Sequence, residues 1–411
     1  MKIWILNQYA VPPDSPGGTR HYDFAAAMAS KGHEVTLIAS NFNHWTKRDR
    51  IPGKKVYQFE KVGQVQFLWV KTAPYWQNNF KRIWNMVSFF LRTWRLPLRE
   101  KPDVILGSSP HLLAPLSAWI LAKHYRVPFV MEVRDLWPET LVRLGQPPPR
   151  MILKGLRLLE RFLYRKTTLL ISMVTDIQAY FASQKIKLPP LVYLPNPVDA
   201  NRYRILPGAE GTNVLTALKE MKKNGLFVFG YVGAHGPAND LETVIAAAAS
   251  LKPEEKIQIV LIGDGPSKQE LEKKAAALPQ VSFFSAIPRQ EVPVMLSGMD
   301  ALIFSVHPTL ESTLGSPNKL LDYMASGKPV LCAASLPGRP VEKAECGFPV
   351  APQSPDQLCE AMRKMASLEE ESLAKMGERG RTFVFKQHDL GMLTDRLLEA
   401  LNRITRKGVQ V

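Results

Sequence analysis

The stretch LFVFGYVGAHGPANDLETVIAAAASLKPEEKIQIVLIGDG, residues 226–265, decides how the chain is built. LFVFGYVG reads as a buried strand, DLETVIAAAASL as a helix, and IQIVLIGDG as a second strand. That is the βαβ rhythm of a doubly wound sheet. The rhythm runs on through SKQELEKKAAAL, VSFFSAI, EVPVMLSGM, DALIFSV, a helix beginning near Asn318, and KPVLCAA. It also runs backward. KIWILN, a glycine loop leading into TRHYDFAAAMASKGH, EVTLIAS, DVILGSS, a helix over about 112–123, VPFVMEV and TTLLISM repeat the alternation. Between the two runs LPPLVYLPNPVDANRY is rich in Pro and Asn and lacks a helical period. The expected fold is α/β with two Rossmann-like doubly wound domains. The expected boundaries are 1–187 for the first domain, 188–203 for a linker, 204–388 for the second, and 389–411 for a C-terminal helix and tail.

The 411 residues suffice for two domains with proper cores. The unusual number is a net charge of +16, which favours phosphate-rich partners. Nucleic acid is not expected among them, because the basic residues are spread along helices without a reading motif. Cys332, Cys346 and Cys359 form no zinc or disulfide spacing and suit a reducing cytosol. The apolar start after Lys2 is too short for a signal peptide. No apolar run reaches the roughly 18 residues that a spanning helix needs.

Two segments carry basic and aromatic residues at helical spacing. In FKRIWNMVSFFLRTWRLP one face holds Phe80, Ile83, Trp84, Val87, Phe90, Leu91 and Trp94, and the opposite side holds Lys81, Arg92 and Arg95. In RMILKGLRLLERFLYRK the apolar set is Ile152, Leu156, Leu159, Phe162 and Leu163, opposite Lys154, Arg157, Arg161 and Arg165. Either these faces cover the sheet, or they lie in the interface of an anionic membrane.

Ligands of doubly wound sheets bind beyond the carboxyl ends of the strands, here expected to face a cleft between the halves. Gly17 and Gly18 follow the first strand and precede a helix, where bare amides can approach a phosphate. No GxGxxG is present, so a nicotinamide cofactor is not expected. Glu132, Arg134 and Asp135 end the strand PFVMEV, either as site residues or as an ion pair capping the strand. His111 follows VILGSS and is a candidate acid, base or acceptor contact. Gly233 and Gly263, with Gly265, end strands where a ligand can meet the backbone.

In SPNKLLDYMASGKPV, residues 316–330, Ser316, Pro317 and Asn318 lead into a helix whose first turn carries Lys319. A lysine there opposes the helix dipole by about 0.3–1 kcal/mol, which an anion would reverse. Asp322, one turn on, could accept hydrogen bonds from a sugar diol. The local alternative is a Lys319–Asp322 pair worth a few tenths of a kcal/mol.

With these residues in place, the chain resembles GT-B glycosyltransferases of family 4 through GGTRHYDFAAAMASKGHEVTLI, LPNPVDANRY, GYVG, VLIGDGP, LDYMASGKPV and CGFPVAP. MEVRDLWPE and SPNKLLDYMASGKPV look like a bacterial surface-polysaccharide subgroup that includes N-acetyl-fucosaminyltransferases. The resemblance implies retaining transfer of a sugar, such as an N-acetylated hexosamine or deoxyhexosamine, from a UDP-sugar to a lipid-linked saccharide. It implies no metal and no cofactor, and a cytoplasmic enzyme held at the inner face of the cell membrane. It places Asp322 on the ribose and the segment near Ile287 on the base. Ala234 stands where the family has an arginine, and Lys319 is the cation available instead. The family's first motif carboxylate falls at Leu314, leaving Glu311 as the nearest acid. The expected catalytic residues are Lys319, His111, Glu132 and Asp135. The expected donor site is Gly17, Gly18, Gly233, Gly263, Ile287, Glu311, Ser316, Asn318, Lys319 and Asp322. An epimerase on the same fold, or a non-catalytic nucleotide-sugar-binding subunit, are the other readings of the same pattern.

Overall fold

The computed structural model describes residues 1–15, 17–77, 80–98, 100–143, 145, 147–204, 213–311 and 316–407. The chain divides into two units, Met1–Pro197 with Leu390–Val411, and Val198–Asp389.

In the first unit the chain runs β1 (Lys2–Leu6), α1 (Arg20–Ser30), β2 (Glu34–Ser40), β3 (Tyr57–Val62), β4 (Val65–Val70) and α2 (Phe80–Thr93). It continues through β5 (Val104–Ser108), α3 (Leu113–Tyr125), β6 (Phe129–Val133), α4 (Glu139–Arg143), α5 (Arg150–Lys166), β7 (Leu169–Ser172), α6 (Ile177–Ser183) and β8 (Leu191–Tyr193). These strands form one sheet in the order β3-β4-β2-β1-β5-β6-β7-β8. Every neighbouring pair is parallel except the β3–β4 hairpin. The central strands are apolar throughout because helices cover both faces of the sheet. One face packs Ile3, Ile5 and Leu37 on Phe24 and Met28 of α1, the other packs Trp4, Leu6 and Ile105 on Ala118 and Leu121 of α3.

The segment 188–203 is more than a linker. Leu191 pairs with Leu170 to make β8 the edge strand of this sheet, and the change of unit comes at Pro197–Val198.

The two amphipathic helices differ from one another. Helix α5 lays Leu163 and Tyr164 into the core with Leu156, Leu159 and Phe162 beside them, and leaves Met151, Ile152 and Leu158 exposed. Helix α2 turns its apolar face outward, with Phe80 72%, Ile83 62% and Trp84 57% exposed, and Leu91 and Trp94 also outside. The reading in which that face covers the sheet is therefore corrected for α2. What it buries is Met86 and Phe89 together with Asn85, Ser88 and Thr93. Asn85 donates to Thr72 Oγ1 at 2.7 Å and to Ala73 O at 2.6 Å, and Ser88 Oγ accepts from the Ala73 amide at 3.0 Å. Thr93 donates to Ser117 at 2.8 Å. Satisfied polar groups make this inverted orientation tolerable, since an unpaired buried one would be costly.

The second unit contains α7 (Asn213–Lys223), β9 (Phe227–Val232), α8 (Leu241–Ala249), β10 (Ile257–Ile262), α9 (Lys268–Lys274), β11 (Val281–Phe284), α10 (Val292–Ser297), β12 (Ala301–Ser305) and α11 (Pro308–Glu311). It closes with α12 (Asn318–Ala325), β13 (Val330–Ala333), α13 (Pro340–Ala344), β14 (Gly347–Val350), α14 (Pro355–Ala366) and α15 (Glu370–His388). Six parallel strands lie in the order β11-β10-β9-β12-β13-β14. The last helix, α16 (Leu390–Lys407), returns to the first unit, where Leu393, Leu397 and Leu401 join the core against α1. Among the described residues no helix is long and apolar enough to cross a membrane.

Candidate functional site

In the second unit Lys319 lies in the first turn of α12, beyond the carboxyl end of β9. Its ammonium donates to Tyr231 Oη at 2.6 Å and to Asn239 Oδ1, and sits 4.6 Å from the Tyr231 ring centre. Both partners are aimed by one carbonyl. Tyr231 donates its hydroxyl to Ala234 O at 2.8 Å, and Asn239 donates its amide to the same oxygen at 2.8 Å. Among the described residues no carboxylate pairs with Lys319, and burial lowers its ammonium to about 7. A buried cation supplied with neutral partners alone is electrostatically incomplete.

Helix α12 is held in register by Tyr323, whose hydroxyl donates to Val232 O at 3.0 Å and accepts from Val232 N at 2.8 Å. Among the described residues no side chain caps its start at Pro317, and the amides of the first turn lie beside Lys319. Ser316 is buried at this mouth and Asn318 is exposed.

The Lys319–Asp322 pair does not form. Asp322 Oδ1 instead accepts from the Tyr203 hydroxyl and lies 3.9 Å from Arg202 Nη1. Ile287 packs at the margin of the core. Glu311 ends α11 and its side chain lies outside the described residues, as does Leu314.

The strand-end glycines have a role different from bare approach to a ligand. A Cβ on Gly233 would fall 2.6 Å from Lys319 Cδ, so that glycine makes room for the lysine stem. A Cβ on Gly263, at φ +154°, would fall 1.8 Å from Gly233 O. The glycines let the two loops close on each other, sealed by Gly233 N to Ile262 O and His235 N to Asp264 O, both 2.9 Å. His235, which sequence reasoning missed, is buried there between Tyr231 and Phe283, with no hydrogen-bond partner on either ring nitrogen among the described residues. Burial, reinforced by Lys268, lowers it to about 4.

In the first unit the predicted carboxylate Glu132 is buried and fully engaged. Arg20 donates to Oε1 through Nε and Nη2 at 3.0 and 2.9 Å. Ser108 donates to Oε2 at 2.5 Å, and His21 Nε2 lies 2.7 Å from it. Burial alone would raise this carboxyl, but Arg20 and His21 bring it well below the usual range. Arg20 also donates to Leu194 O and Pro195 O, tying β6 to the segment after β8. The expectation that Glu132 is catalytic meets a different geometry: both of its carboxylate oxygens are already engaged by Arg20, His21 and Ser108 within the unit. Arg20 and His21 were missed because nothing in a helix start announces a partner 112 residues away.

Asp135, two residues beyond β6, is half-buried, and burial raises its carboxyl against the pull of Arg134. His111 is 2% exposed and neither ring nitrogen has a hydrogen-bond partner among the described residues. Its loop is joined to the end of β6 by Ser109 N to Glu132 O at 3.0 Å and Arg134 N to Ser109 Oγ at 2.8 Å. Gly17, at φ +123°, lies where a Cβ would meet Trp45 Nε1 at 2.6 Å, and Gly18 is exposed. Among the described residues no group of three or more His, Cys, Asp or Glu side chains is placed to hold a metal ion.

Residues 17–197 match the family described as Glycosyl transferase 4-like domain, and residues 217–383 match Glycosyl transferases group 1. A relative, sulfoquinovosyl transferase SQD2 of Arabidopsis thaliana, is 27% identical over 315 residues. The match takes in 76% of this chain and 56% of that protein, so the chain spans little more than half the relative's length. Sucrose-phosphate synthase from Thermosynechococcus elongatus superposes with a TM-score of 0.75 at 15% identity, over 99% of each chain. Anabaena Alr3699/HepE in complex with UDP-glucose gives 0.66 at 18% identity, over 98% of this chain and 100% of that one. At such identities these two structures speak for the fold alone.

Proposed function

For a chain that is a GT-B glycosyltransferase of the GT4-like kind, we propose that a UDP-sugar is the donor, held in the second unit with its diphosphate on Lys319 and the first amides of α12. The single observation that carries this reading is the half-buried Lys319 ammonium, which has only neutral partners among the described residues. As the bond from the anomeric carbon to the diphosphate oxygen breaks, negative charge grows on the leaving group. Lys319 and the helix amides are preorganised to receive it. The acceptor hydroxyl forms the new bond to that carbon on the face the diphosphate leaves, so configuration is retained, and its proton passes to the departing diphosphate oxygen. Asp322, fixed by Tyr203, presents the carboxylate for the ribose, and Ile287 lies near the base.

The acceptor in this reading is a lipid-linked saccharide of bacterial surface-polysaccharide synthesis, met by the first unit near His111 and Asp135. The transferred sugar is an N-acetylated hexosamine or deoxyhexosamine. The outward apolar face of α2, flanked by Lys81, Arg92 and Arg95, supports attachment to an anionic membrane at the cytoplasmic surface. A second reading of the sugar, a sulfoquinovosyl group, is favoured by the relative named for that transfer.

The test is Lys319→Met with UDP-sugars and a membrane extract as acceptor. Turnover is expected to fall by about 10²–10³ with folding intact, the scale of one lost oxyanion-type donor. Unchanged turnover in the variant removes the assignment.

A further inference from the structure

Four loops of the first unit assemble a second polar centre that the donor site does not use. Tyr9 follows β1, His44 follows β2, Tyr75 follows β4 and His111 follows β5, and these four strands are consecutive in the sheet. The Tyr9 ring stands edge-on to His44 at 5.7 Å and to His111 at 5.8 Å between centres. His44 Nδ1 and the Tyr75 hydroxyl are hydrogen-bonded, and Lys47 Nζ lies 4.6 Å from the Tyr75 ring centre. Arg82, in the first turn of α2, acts electrostatically on Tyr9, His44, Lys47, Tyr75 and His111.

The charges acting on His44, Lys47 and His111 are all cationic. Burial first, then Lys47 and Arg82, hold His44 at about 4, and burial with Arg82 holds His111 at about 3. Among the described residues no carboxylate pairs with Lys47. His111 is almost wholly buried, with both nitrogens unbonded among the described residues. Gathering cations around an unsatisfied imidazole is unfavourable unless an anion completes the set. A phosphate, with several acceptor oxygens, suits such a mixture of ammonium, guanidinium and imidazole donors. Phe80, Ile83 and Trp84 flank Arg82 on the exposed face of the same turn, so an apolar tail could leave the phosphate along α2.

We propose that the cluster of Tyr9, His44, Lys47, Tyr75, Arg82 and His111 binds a phosphate carried on a lipid, the phosphate of the acceptor. This rests on the reading of the acceptor as lipid-linked. Other phosphates share the chemistry, and the experiment separates the sources.

Calorimetric titration of the full chain with farnesyl phosphate, farnesol and inorganic phosphate tests it, with UDP as an independent ligand of the second unit. Farnesyl phosphate is expected to bind more tightly than either fragment. Lys47→Met and His111→Gln should each weaken it by about tenfold while UDP affinity stays unchanged. Lys47 is partly exposed, so its variant is expected to fold even if His111→Gln does not. Equal affinity for inorganic phosphate, or for farnesol, overturns the proposal, as does a Lys47→Met variant that binds farnesyl phosphate undiminished. Loss of UDP binding alone would break the donor reading and leave this one supported.

Discussion

The two units solve opposite problems. In the first, the buried charge at the strand ends is matched: Glu132 is surrounded by Arg20, His21 and Ser108. In the second, half-buried Lys319 has a phenol and an amide and, among the described residues, no acid. The outer surfaces reverse the contrast. Among the described residues every exposed large hydrophobic side chain, from Trp45 to Tyr193, belongs to the first unit. A charge matched internally stabilises the fold, whereas an unmatched one is completed by a ligand. By the same logic, the apolar surface left outside belongs to the unit proposed to meet the membrane and the acceptor.

The largest effect separates the two buried charges by sign. Glu132→Ala strands the Arg20 guanidinium without its counter-ion and should cost about 3–5 kcal/mol in urea unfolding. Lys319→Met removes a charge that has no counter-ion among the described residues and should leave stability unchanged or raise it. If both variants destabilise alike, the contrast between matched and unmatched centres is lost.

The next effect concerns the outer surfaces. Ile83→Glu with Trp84→Glu should sharply reduce sedimentation with anionic vesicles, since each buried apolar side chain contributes about 1.5–3 kcal/mol. Melting temperature should barely move, because both side chains are exposed. Retained vesicle binding would assign the apolar face of α2 to another partner.

The smallest effect is a pH slope. Lys319 titrates near 7 in the folded chain, against an ordinary 10.5. In the proposed donor site the diphosphate binds the protonated form, so UDP affinity should fall by up to about tenfold per pH unit above 7, and Lys319→Met should flatten that slope. The unliganded chain should gain stability over the same window, because between 7 and 10.5 the unfolded chain holds a proton that the folded one has released. A slope surviving in Lys319→Met points to a different group.

Much of this architecture was legible in the residue order. Strands such as IQIVLI and KIWIL read as apolar runs because parallel strands are covered on both faces. The position of Lys319 at a helix mouth was legible too, because it depends on neighbours a few residues away. The hairpin Tyr57–Val62 with Val65–Val70 was not read, since its outer strand is half-exposed and mixes polar with apolar residues.

By itself, then, the sequence determined the two βαβ halves, the helical period of α2 and the lysine in the first turn of α12. Only the tertiary structure decided which way each of them works. It turned the aromatic face of α2 outward by satisfying Asn85, Ser88 and Thr93 within the unit. It supplied Lys319 with partners 80 and 88 residues away, Asp322 with one 119 away, and Glu132 with its cation from α1. Periodicity and capping are local, and a chain read in order displays them. The balance of a buried charge is set by whatever the topology brings beside it, and no spacing along the chain records that.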